Sequence, residues 1–154
     1  MKRKQEFLRQ NKHNLITLAN GLLSGVRHKG TRFDMRVFCD HSHGDSDHCG
    51  TAGCAVGYGP FFGIQKHANE DWFNYSHRCF INELRDGSGS DEWDWCFNSY
   101  WSRYDNSKRG AAQRIIYMLQ YGVPEDWGFD KETINLYKGI TGFCPQWLKE
   151  NGYA

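Results

Sequence analysis

Aliphatic side chains are scarce in this 154-residue chain, which carries nine leucines, seven isoleucines and only four valines. Charge of one sign is missing as well: 19 basic side chains face 18 acidic ones, a formal net charge of +1. Few aliphatics together with a large net charge would signal disorder, so the balanced charge argues for a folded chain. The same balance excludes a dedicated nucleic-acid binder, whose affinity rests on an excess of Lys and Arg facing phosphates. Only the N-terminus leans basic, through Lys2, Arg3, Lys4, Arg9 and Lys12 against Glu6, and it reads as the solvated face of an opening helix. No stretch approaches the roughly 18 apolar residues of a membrane helix, and the start has no apolar run of signal-peptide length, so a cytoplasmic protein is expected. Linkers, repeats and low-complexity segments are absent too, which predicts one domain over residues 1–154.

Rings fill the gap that the aliphatics leave. Ten Phe, eight Tyr and six Trp are present, and each ring buries roughly 150 to 250 Å² when interior, so an aromatic-rich core is expected. The six cysteines (Cys39, Cys49, Cys54, Cys79, Cys96 and Cys144) would be reduced in the cytoplasm, leaving burial, metal ligation or reactivity as their roles.

Local patterns predict a mainly α fold, with α+β as the alternative. Leu8, Leu15, Leu18, Ala19 and Leu22 recur at helical spacing between Gln5 and Ser24, before a stop at Gly25. Alternation of Phe33, Met35 and Val37 suits a short extended element over Thr31 to Phe38. The run from Cys49 to Pro60 is dominated by small residues and reads as a closely packed short helix entered at Cys49-Gly50-Thr51. Phe61 to Trp101 is aromatic and irregular, split by the turn at residues 86–90. Asp105-Asn106-Ser107 caps a helix over Lys108 to Tyr121, facing inward through Ala112, Ile115, Ile116 and Leu119 and ended by Gly122. Pro124 opens a further helical turn, Lys131 to Ile140 reads as helix, and Phe143, Trp147 and Leu148 are expected to dock on the body.

Several of these segments form a pattern: Phe33-Asp34-Met35, then Cys49 to Gly57, Trp93 to Phe97, Asp105-Asn106 with Gly110 to Ile115, and Gly122-Val123-Pro124. The chain resembles, over roughly residues 14 to 127, a family of small bacteriophage and bacterial proteins with F-D-M, C-G-T-x-x-C-x-x-G and G-A-A-x-R-I elements. That resemblance implies a viral or prophage setting and no particular activity.

Three constellations carry chemistry. The segment from Cys39 to Cys54 holds Cys39, His41, His43, His48, Cys49 and Cys54; thiolates and imidazoles at close spacing are zinc ligands, and Cys49 and Cys54 have C-x(4)-C spacing. A solvated loop without metal is the plain alternative. The expected helix start after Cys49 offers unpaired N–H groups to an anion, or to a Cys49 thiolate, while Cys54 is expected to be a buried packing residue. On that helix Gly53 and Gly57, one turn apart, would admit a ligand closely, with tight helix packing as the competing explanation. The third constellation is the ring-rich stretch from Trp72 to Tyr104, with arginines among the rings. Rings stack on bases and guanidinium groups clamp phosphates, so Trp93, Trp95 and Trp101 with Arg103 or Arg114 suit a nucleotide, although most rings must be core. Asp91, Glu92 and Asp94 are expected to be solvated loop charges.

Three classes of function follow. The leading one is a phage accessory protein, not an enzyme, that binds a small nucleotide-like ligand through Cys49, Gly50, Thr51, Gly53, Gly57 and the rings and arginines above, sequestering a host immune signal. The second is an interaction module with structural zinc that inhibits a host protein. The third is a cysteine hydrolase pairing Cys49 or Cys54 with His67 or His77.

Overall fold

A computed structural model describes residues 9–24, 32–36, 39–40, 52–81, 91–103 and 105–124. Within these residues the chain is mainly α, with an aromatic-rich core and three strands of two residues each. Helix α5 (Lys108–Tyr121) lies at the centre. It begins where Ser107 Oγ accepts the Gly110 N–H at 3.0 Å and ends where the Gly122 N–H reaches the Met118 carbonyl, with Gly122 at φ +82°. Ala112, Ile115, Ile116 and Leu119 are buried as their spacing predicts, but so are Gln113 and Arg114, because neighbours cover almost the whole circumference.

Helix α1 (Arg9–Leu23) lays Leu15, Leu18, Ala19 and Leu22 along α5, which is its most extensive packing partner. The expected start at Gln5 lies outside the described residues. Two polar residues on α1 reach elsewhere: Asn11 Nδ2 donates to the Arg78 carbonyl at 3.0 Å and Asn14 Nδ2 to the Cys79 carbonyl at 2.9 Å. Those carbonyls belong to the last turn of α3 (Trp72–Cys79), where backbone acceptors lack intrahelical partners. At its other end α3 is capped by Asp71, whose Oδ1 accepts the Asn74 N–H at 2.7 Å. Helix α4 (Asp91–Phe97) starts with three acidic residues, which suits the positive end of its dipole. It buries Trp93, Trp95, Cys96 and Phe97 and leads into a 3-10 turn over Ser99–Arg103. Both α3 and α4 fall in the stretch expected to be irregular, so that expectation is corrected. Asp91, Glu92 and Asp94 therefore sit on a helix, and Asp94 is half-buried, its carboxyl pushed up by desolvation.

The strands β1 (Arg32–Phe33), β2 (Cys39–Asp40) and β3 (Ala52–Gly53) form a sheet in the order β1-β3-β2, parallel on the first side and antiparallel on the second. Two expectations change here. The extended element stops at Phe33, since Met35 and Arg36 form a turn and Asp34 is buried alongside Met35. The small-residue run does not enter a helix at Cys49-Gly50-Thr51: Ala52 and Gly53 are strand, and α2 (Ala55–Tyr58) starts only after Cys54. Small side chains let β3 pair on both edges, with Gly53 opposite Phe33 and Cys39. Helix α2 then tightens into a 3-10 turn over Gly59–Phe62, as Pro60 requires. The helices expected beyond Pro124 and the docking of Phe143, Trp147 and Leu148 lie outside the described residues.

Candidate functional site

The concave feature of interest is a cleft of about 240 Å³ lined by Met35, Arg36, Cys54, Trp93, Phe97, Asn98 and Ser99. Segments far apart in sequence build it. The turn after β1 supplies Met35 and Arg36, the residue before α2 supplies Cys54, and α4 with its exit supplies the rest. The F-D-M, C-G-T-x-x-C and W-D-W-C-F elements thus meet in space.

One wall is aromatic. Trp93 Nε1 donates to Ser76 Oγ at 2.8 Å, and its ring lies nearly parallel to His77, with centroids 6.0 Å apart and 15° between planes. Phe73 and Phe97 also pack against it. His77 is buried, and because the Ile81 carbonyl can only accept, its 2.8 Å contact makes Nδ1 the donor. His77 Nε2 has no hydrogen-bond partner among the described residues.

The polar rim is organised by Asp34, a buried carboxylate. Arg36 donates from Nε at 3.0 and 3.1 Å and from Nη2 at 2.6 Å, and the Arg36 backbone N–H closes an Asx turn on Oδ1 at 3.0 Å. Asn106 Nδ2 approaches the same Oδ1 at 3.4 Å, while Asn106 Oδ1 accepts the Met35 N–H at 2.7 Å. Hydrogen bonding from Arg36 outweighs desolvation and holds the Asp34 carboxyl down to about 2, and the same bonds raise the Arg36 guanidinium. The Arg36 side chain is nevertheless 66% exposed. Asn98 is spent locally, donating to Asp94 and accepting from the Tyr100 N–H.

The sequence-predicted residues divide sharply. Trp93 and Cys54 line the cleft, and Cys54 is buried as expected. Trp95 and Trp101 are core rings whose indole N–H groups are satisfied by the carbonyls of Arg114 and Asp94, so they belong to packing. Arg103 is exposed and stacks on Tyr100 at 5.0 Å. Arg114 is buried, its guanidinium 4.2 Å above Trp101, and burial lowers it to about 10 although Asp105 stands 3.8 Å away. Its Nε and Nη2 have no hydrogen-bond partner among the described residues. Neither arginine is a clamp of this cleft. Gly53 is in a strand and Gly57 is buried in α2, so the two do not share a helical face. An anion-binding helix start following Cys49 is likewise overturned, since β3 follows it. Of the proposed zinc ligands, His41, His43, His48 and Cys49 lie outside the described residues, as do Gly50 and Thr51 of the ligand set. Cys39 is placed by its backbone in β2. Among the described residues no group of three His, Cys, Asp or Glu converges as a metal site. For the hydrolase reading, His77 is held against Trp93 and His67 is exposed, and neither lines the cleft.

Sequence reasoning missed Arg36 and Asn106. The available signal was an Asp followed two residues later by an Arg, within an element already singled out. No family model, curated protein or solved structure matches the chain. Among the described residues no helix is long and apolar enough to cross a membrane.

Proposed function

We propose that the protein binds a small nucleotide-like ligand in this cleft, with the ligand's ring against the Trp93 and Phe97 wall. The supporting observation is the cleft itself: an aromatic side and an outward-facing Arg36 on separate elements around one concave space. Stacking of one base on an aromatic side chain contributes roughly 1 to 3 kcal/mol, and a few hydrogen bonds at the rim bring affinity to the micromolar range without catalytic groups. The space lies slightly below the roughly 300 to 1,000 Å³ of drug-sized pockets. It takes one ring system and a substituent, and a cyclic dinucleotide would leave half its length outside. In the phage setting that the resemblance implies, such a protein acts by stoichiometric sequestration of a host nucleotide signal.

The test is calorimetric titration of the full chain with mononucleosides and mononucleotides, followed by mass spectrometry of the recovered ligand. Saturable binding, quenched tryptophan fluorescence and unchanged ligand are expected, with Trp93→Leu abolishing binding. Absence of binding across the panel refutes the reading, and a chemically altered ligand replaces it with the enzyme class.

A further inference from the structure

The guanidinium of Arg36 is only partly used. Of its five N–H donors, Asp34 engages Nε and one on Nη2, along one edge of the plane. Both N–H groups of Nη1 and the second of Nη2 have no partner among the described residues, and the parallel pair on the outer edge forms a fork. Bidentate contact with Asp34 fixes the plane of that fork, and Asn106 holds Asp34 and the backbone of Met35 in place. Charge, by contrast, is already cancelled. Asp34 stays ionised down to about pH 2, so Arg36 and Asp34 are together neutral under ordinary conditions. A phosphate on the outer edge would be attracted by the guanidinium and repelled by the carboxylate behind it. Two neutral acceptors lying side by side in a ring plane gain the same hydrogen bonds without that repulsion.

We infer that Arg36 is the specificity-determining residue of the cleft and reads a pair of adjacent acceptors on a purine, such as O6 and N7 of guanine, beside the Trp93 wall. Asp34 and Asn106 are positioning residues that act through Arg36. This inference rests on the ligand reading given above. An adenine presents a donor at the corresponding exocyclic position and mismatches one arm of the fork. The neutral pair also makes recognition insensitive to salt, unlike recognition carried by phosphate.

Titration of the full chain with guanosine, inosine and adenosine, and with guanosine monophosphate at low and high salt, tests it. Guanosine and inosine are expected to bind alike and adenosine about tenfold more weakly or worse, a ratio set by one bidentate contact. Added phosphate and added salt should each change affinity less than about threefold. Arg36→Gln, whose amide can still donate to Asp34, should fold with a modestly lowered denaturation midpoint and bind guanosine no better than adenosine. Equal binding of all three nucleosides, or binding that requires phosphate, overturns this inference and leaves the cleft reading standing. Failure of every nucleoside and nucleotide to bind removes both.

Discussion

The backbone N–H of Met35 donates to the side-chain oxygen of Asn106 at 2.7 Å, across 71 residues of sequence. Through this bond the turn after the first strand is tied to the entry of the central helix, and Asp34 is seated between them. Asn106→Ala leaves the Met35 N–H without its acceptor, which costs about 0.5 to 1.5 kcal/mol because the bond is only part-buried. Urea unfolding of the variant should show a lower midpoint with an unchanged slope.

Acid should weaken the same junction in a defined window. The carboxyl of Asp34 sits at about 2 in the folded protein against 3.8 ordinarily. A depressed carboxylate contributes stability that is fully present above its unfolded value and is lost as pH falls from about 4 towards 2. The contribution is about 1 to 2 kcal/mol, since Arg36 is largely in solvent. Denaturation series for the wild type and Asp34→Asn should therefore converge as pH drops through this window. Curves that stay parallel would show that the Arg36 pair contributes nothing.

Arg114 is an energetic liability. Its guanidinium is buried over Trp101 with two donor atoms unpaired among the described residues, and Asp105 compensates it only at 3.8 Å. The carboxylate of Asp105 packs so tightly on Gly110 that any side chain there would collide with it. Replacing both members of a buried ion pair by apolar residues is often neutral or stabilising by about 1 to 4 kcal/mol, whereas removing one partner alone is destabilising. The double variant Arg114→Met/Asp105→Ala should thus unfold at equal or higher denaturant concentration than wild type, and Asp105→Ala alone at lower.

Helix capping gives a prediction that differs between two sites. Loss of a Ser or Asp cap costs about 1 kcal/mol. Ser107→Ala acts on the central helix α5 and should lower the melting temperature by about 2 to 4 °C. Asp71→Ala acts on α3, whose far end is secured by Asn11 and Asn14, and hydrogen exchange should show its effect confined to the first turn of that helix.

Thiol chemistry is the last test. Cys54, Cys79 and Cys96 are buried, and none of the three is in a disulfide. Desolvation pushes Cys79 up to about 11 and raises Cys96 further. Since the thiolate is the nucleophile, both should alkylate slowly in the native protein near neutral pH and rapidly after denaturation. Peptide mapping with timed labelling reads this directly.

Helix α5 was legible because its signals are local: Ser107 before it, Gly122 after it and aliphatics at helical spacing between. Helices α3 and α4 were not. In α3 the ring of Phe73 is exposed while polar Ser76 and His77 are buried, so residue type does not mark the dry face, and α4 spans only seven residues, too few to set a clear period. The Asp71 cap was the remaining sign. Strand β3 was hidden for another reason, since Ala52 and Gly53 become strand by pairing with β1 and β2 from elsewhere in the chain. The cleft followed the same rule: Trp93 could be picked out by its chemistry, but Arg36 gains its orientation from Asp34 and Asn106, a tertiary arrangement.

The two asparagines of α1 also act as a ratchet pawl. The face that α1 turns to α5 includes smooth apolar side chains, and such a surface offers modest resistance to sliding along the helix axis. Asn11 and Asn14 engage consecutive carbonyls of Arg78 and Cys79, and a shift of one residue, about 1.5 Å, would pull both out of reach together. The axial register of the first helix is thus set by the third, and α1 cannot creep along the core without the end of α3 letting go.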